Sequence, residues 1–115
     1  MIFNDIELYH HEKALERFLE LHRPPVHLRD KCDIGYRIAG QSIVIFETAP
    51  DWVDKSKTME TPVAKTTFIR GRNHWRVFWM KRDLRWHGYD PAPEVASLEG
   101  FLDLVHRDEF CCFWG

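Results

Sequence analysis

Apolar residues recur at helical spacing along residues 4–22, where Leu8, His11, Leu15, Phe18, Leu19 and His22 fall on one face of a 3.6-residue period. Asn4 followed three residues later by Glu7 reads as a capping box. Phe3 and Leu8 bracket it as a hydrophobic staple. Pro24 and Pro25 end the helix, because neither has an N–H for the ladder. Residues 26–32 read as a polar connector. The pattern then changes to alternation, and residues 33–48 predict a hairpin turning at Gly40-Gln41. That turn sets Ile38 against Ile43, Tyr36 against Ile45 and Gly35 against Phe46. Ile34, Tyr36, Ile38, Ile43 and Ile45 then share one face.

Residues 62–89 predict three further strands, near 62–70, 74–82 and 85–90. A turn at Gly71-Arg72 pairs Phe68 with Trp75, Thr66 with Val77 and Ala64 with Trp79. A loop around Asp83-Leu84 pairs Lys81 with Trp86 and Trp79 with Gly88. Alternation then sorts Ala64, Thr66, Phe68, Trp75, Val77, Trp79 and Trp86 onto a core face. Residues 49–61 form a long charged loop in which Trp52 is the one large apolar group able to pin it down. Asp90-Pro91-Ala92-Pro93 breaks the sheet. A second helix follows, capped near Ser97, with Leu98, Phe101, Leu102 and Val105 facing inward. The ending EFCCFWG is too apolar to stand in water and is expected to dock, a short extra strand being one way to do so. The expectation is a single α+β domain over residues 1–115. Its antiparallel sheet has about five strands, and an N-terminal and a C-terminal helix cover the face bearing Phe68, Trp75, Val77 and Trp79.

A chain of 115 residues can bury one core without staples, and its aromatic content lets large rings carry much of it. The net charge of -2 hides a basic centre: within residues 62–89, Lys65, Arg70, Arg72, Arg76, Lys81, Arg82 and Arg85 are opposed only by Asp83. The first residues lack a basic segment followed by an apolar run, so no signal peptide is expected, and no apolar stretch has the length of a membrane span. Cys32, Cys111 and Cys112 have no framework spacing and read as reduced thiols of a cytoplasmic protein. Between Phe110 and Phe113, the paired thiols are expected to be buried, with a raised pKa.

Histidines and cysteines invite a metal site, but their spacing does not build one. His11 and His22 share a helix face roughly 16 Å apart at 1.5 Å per residue. His10 and His11 diverge, and Cys111-Cys112 is no C-x-x-C knuckle. No metal or cofactor is expected. A small enzyme using Cys112, His87 or His106 ranks last, and no catalytic residue is assigned. The remaining clue is the second sheet face, on which Lys65, Arg76, Phe78, Arg85, His87 and Tyr89 are candidate binding residues, with Lys65, Phe78 and Tyr89 in one cross-strand row. Cations among exposed rings suit an anionic partner, of which single-stranded nucleic acid is one. The plain counterpart is a half-solvated face whose cationic stems cover apolar padding, and the aromatic motifs of known sheet readers are absent. The first reading is a non-enzymatic binding module. Its rival is a protein that pairs with itself as a homodimer, through this sheet or the aromatic tail.

Several short motifs occur together: Arg23-Pro24-Pro25, Pro50-Asp51-Trp52, Pro62-Val63-Ala64-Lys65, Trp75-x-x-x-Trp79, Trp86-His87-x-Tyr89 with prolines after it, and Cys112-Phe113-Trp114-Gly115. In this combination the chain resembles, over nearly its full length, a bacterial family described only as a domain of unknown function, DUF3024. The resemblance implies a cytoplasmic bacterial protein and brings no activity, substrate or catalytic residue with it.

Overall fold

The computed structural model describes residues 3–115. Helix α1 (Asp5–His22) begins as its sequence dictates: the Asn4 side chain accepts from the Glu7 N–H at 2.8 Å, and the Glu7 carboxylate accepts from the Asn4 N–H at 2.9 Å. The sheet then runs as a meander of β1 (Asp33–Ala39), β2 (Ser42–Pro50), β3 (Thr58–Ile69), β4 (His74–Met80) and β5 (Trp86–Gly88), all antiparallel. A sixth strand, β6 (Glu94–Val95), pairs with β4 beyond the end of β5, and α2 (Leu98–Arg107) follows. The fold is α+β, with a helix near each end of the chain and both helices on one face of the sheet.

Gly40 sits at φ +60, a backbone region that glycine enters without steric penalty, and the first hairpin has the predicted pairs Ile38–Ile43, Tyr36–Ile45 and Gly35–Phe46. The third and fourth strands also pair as expected, Phe68 with Trp75 and Thr66 with Val77. Their connection is a 3-10 turn over Arg70–Arg72 closed by Asn73 in the left-handed region. Helices and sheet enclose one cluster in which Leu15 and Phe18 of α1, and Leu98, Phe101, Leu102 and Val105 of α2, meet Ile43, Ile45, Phe68, Trp75 and Val77. Burying each large side chain of this kind contributes about 1.5–3 kcal/mol. Thr66 is the buried polar member, and its hydroxyl donates to the Arg76 carbonyl at 2.7 Å.

Five expectations are corrected. Residues 49–61 are not one long loop, because β2 and β3 extend as a ribbon and leave only 51–57 between them. Trp52 does not pin that loop: it is 83% exposed, and the carboxylates of Asp51 and Asp54 hold the backbone by accepting from Val53 and Ser56 N–H groups. The chain after Tyr89 does not leave the sheet for good. It turns at Ala92, whose N–H donates to the Tyr89 carbonyl, and returns as β6 along β4. The tail docks as a turn, not a strand: the Asp108 carboxylate accepts from the Phe113 and Trp114 N–H groups, and the Trp114 indole donates to the Val105 carbonyl at 2.9 Å. Phe113 is buried there, but Cys111 and Phe110 are exposed, and only Cys112 is half-buried.

Two histidines tie stability to pH. Burial against Phe3 and Trp75 pushes the His11 pKa down. Burial beside Phe18 and Trp114, and then the neighbouring His106, does the same for His22. With folded pKa values below the unfolded one, the unfolded chain binds more protons in the window between them, so stability falls as pH drops below about 6.5. The urea midpoint is therefore expected to be lower at about pH 5.5 than at about pH 8. His11→Phe, which keeps an aromatic ring in place, is expected to flatten that difference. An unchanged midpoint would show that these rings are solvated.

Candidate binding face on the open side of the sheet

With both helices on one side, the other side of the sheet carries the side chains that alternate outward. The registers align a straight row across five strands: Arg37 opposite Val44, Val44 opposite Lys65, Lys65 opposite Phe78, and Phe78 opposite Gly88. Four inter-strand spacings of about 4.8 Å make that row roughly 19 Å long. A β-bulge keeps the longer strands on the same face. Ile45 pairs with Ala64 but Phe46 with Pro62, so Val63 is the extra residue and turns into the core, where Ala64 is also buried. Pro62 has no N–H for the ladder, and the bulge beside it is where a strand tolerates that.

At the centre of the row the Phe78 ring is flanked by two cations, the Lys65 ammonium 5.5 Å and the Arg76 guanidinium 5.2 Å from its centroid. Lys65 also stands 5.9 Å from the Trp86 ring. Two other cations nearby are paired. Arg37, lying 5.0 Å over Phe46, pairs with Glu60 at 2.8 Å, and Arg72 lies 3.5 Å from Glu94. Among the described residues neither Lys65 nor Arg76 has a carboxylate within 4.0 Å, although Glu94 of β6 lies opposite Arg76. Gly88 adds a notch: it presents no side chain opposite Phe78, and a Cβ there would meet nothing within 4 Å.

The structure brings Lys65, Arg76 and Phe78 together as expected, but not the other three predicted residues. Tyr89 is 2% exposed and faces the core, with its ring 4.8 Å from Phe113. His87 lies opposite Trp79, off the row, and bonds Asp83 at 2.8 Å. Arg85 is exposed at the hairpin end, its N–H donating to Asp83. Trp86, expected in the core, lies on the open face opposite Met80.

One cause explains all of this. The last hairpin closes between Lys81 and Arg85, with three residues in its loop instead of two, and Leu84 adopts the left-handed region at φ +61. An odd loop moves the pairing by one residue, and one residue moves every following side chain to the opposite face. Glycine at the left-handed position usually announces such a loop, and leucine conceals it. The one local signal was Asp83, whose carboxylate accepts from the N–H two residues on.

Burial, followed by the Asp108 charge, raises the Cys112 thiol pKa, which opposes nucleophilicity. His106 turns instead to His22, their ring nitrogens 2.8 Å apart. Asp83 is held below the usual carboxylate range by its bonds from His87 and the Arg85 N–H. Among the described residues no three potential metal ligands converge, and no helix is long and apolar enough to cross a membrane.

No curated protein and no solved structure matches the chain. A family model does, over residues 3–115, and so, with the helices, the meander and the open face described, the chain belongs to DUF3024, a domain of unknown function.

Proposed function

We propose that the open sheet face is a non-enzymatic binding surface for single-stranded nucleic acid, with Lys65 and Arg76 taking phosphates and Phe78 and Trp86 taking bases. The observation that carries this reading is the pair of cations, neither in a salt bridge, that share one ring. A cation resting over an exposed ring gains about 0.5–1 kcal/mol, whereas a charge-assisted bond to phosphate is stronger, so the ligand lifts the cation and uncovers the ring for stacking. The length of the row suits a sheet that stacks two or three bases. The three free cysteines fit a reducing compartment, and the proposal puts the activity in the cytoplasm.

The test is a salt titration of binding to a short fluorescent oligothymidylate. Lys65→Gln and Arg76→Gln are each expected to weaken binding and to reduce the slope of log affinity against log salt by about 0.7. Arg37→Gln, whose charge is already spent on Glu60, is expected to change the slope less. Binding indifferent to both central substitutions would remove the reading. If a Phe78→Ala change instead converted a dimer to monomer in sedimentation without any effect of the oligonucleotide, the face would be a self-association surface.

A further inference from the structure

On the opposite side of the molecule a groove of ≈ 790 Å³ runs between α1 and α2, floored by Ala14, Phe18 and Leu102. Its two walls have opposite charge. The α1 wall carries Lys13 and Arg17, and the α2 wall carries Glu99 and Asp103. Two large apolar side chains on the α1 side, Tyr9 and Leu21, are 59% and 78% exposed. The helices run in the same direction. His10 and Glu99 line one part of the groove, and the His22–His106 bond marks its other end.

We infer that this groove is where a second copy of the chain docks, face to face, with a two-fold axis along the groove. A rotation about that axis exchanges left and right walls while keeping each position along the groove at its own level. The cationic wall of each copy then lies over the anionic wall of the other. Lys13 meets the partner's Glu99 and Arg17 meets the partner's Asp103, twice each, as an isologous interface requires. The levels agree: counted back at about 1.5 Å per residue from the His22–His106 bond, each cation stands about 3 Å behind its carboxylate, within reach of a long side chain. An axis across the groove would instead set cation on cation and acid on acid, so charge selects one arrangement. Tyr9 and Leu21 leave water in the same step.

The deciding experiment uses two charge reversals on exposed helix positions, Lys13→Glu and Glu99→Lys, with helix content checked by circular dichroism. Asp103 is less suitable because Arg107 holds it at 2.8 Å within the same helix. In sedimentation equilibrium the native chain is expected to dimerise, more weakly at high salt. Either single variant places like charges together at two symmetric contacts, raising the dimer dissociation constant about tenfold or more. Mixing the two variants in equal amounts makes both contacts complementary again, so the mixture is expected to recover a heterodimer. A native chain that is monomeric at its highest soluble concentration would overturn the inference. So would a dimer unmoved by either reversal, or variants that stay monomeric when mixed. None of these results bears on the sheet face, which lies on the other side of the molecule.

Discussion

Tyr89→Ala is expected to lower the free energy of unfolding by about 3–5 kcal/mol, the range for deleting a large buried ring. Total stability of such domains is only about 5–15 kcal/mol, so this single change removes a large part of it. The ring is almost fully buried and packs on Phe113, so its loss opens a cavity under the docked tail and frees Phe113 as well. Tyr89→Phe keeps the ring and is expected to stay within about 1 kcal/mol of the native chain. Urea unfolding followed by tryptophan fluorescence measures both. A Tyr89→Ala protein as stable as the native one, yet defective in binding, would mean that the ring contacts ligand and that β5 has the other register.

Phe78→Ala and Trp86→Ala are each expected to weaken oligothymidylate binding by about 1–3 kcal/mol, a loss of roughly five- to 150-fold, if each ring stacks on one base. Both rings are half-buried on the open face and outside the helix-covered cluster, so the effect on stability is expected to be smaller than that of Tyr89→Ala. Gly88→Leu offers an independent check, because it removes no ring and no charge. It fills the notch opposite Phe78, where a Cβ has free space, and is expected to reduce binding while leaving the salt slope unchanged. Fluorescence anisotropy with the folded variants gives the affinities. Equal affinity in all three would separate the rings from any binding the cations support.

The parts of this fold that were legible in sequence are those whose punctuation is local. Asn4 and Glu7 announce the start of α1, Ser97 the start of α2, and Gly40 a turn of fixed geometry with a fixed register behind it. The last hairpin is concealed because its special position is occupied by Leu84, a residue that carries no turn signal. That one position decided the site, exchanging Trp86 for His87 and Tyr89. Strand β6 was hidden by its length and its neighbours: two residues just after Pro93 show no alternation, and only β4's unpaired flank gives them a partner. Trp52 misled in the opposite direction. A large ring suggests burial, but the loop is held by its own carboxylates and leaves the ring in water. The charge walls of the helical groove were invisible until α2 was placed beside α1.

The central claim is that one face, and no other, receives the nucleic acid. Proton–nitrogen correlation spectra of the labelled protein, recorded as a short oligothymidylate is added, test it directly. The account predicts shifts at the Trp86 indole and at the amides of Lys65, Arg76, Phe78 and Gly88, with α1, α2 and the buried Tyr89 unmoved. Spectra that do not change, or changes confined to the helices, would contradict it.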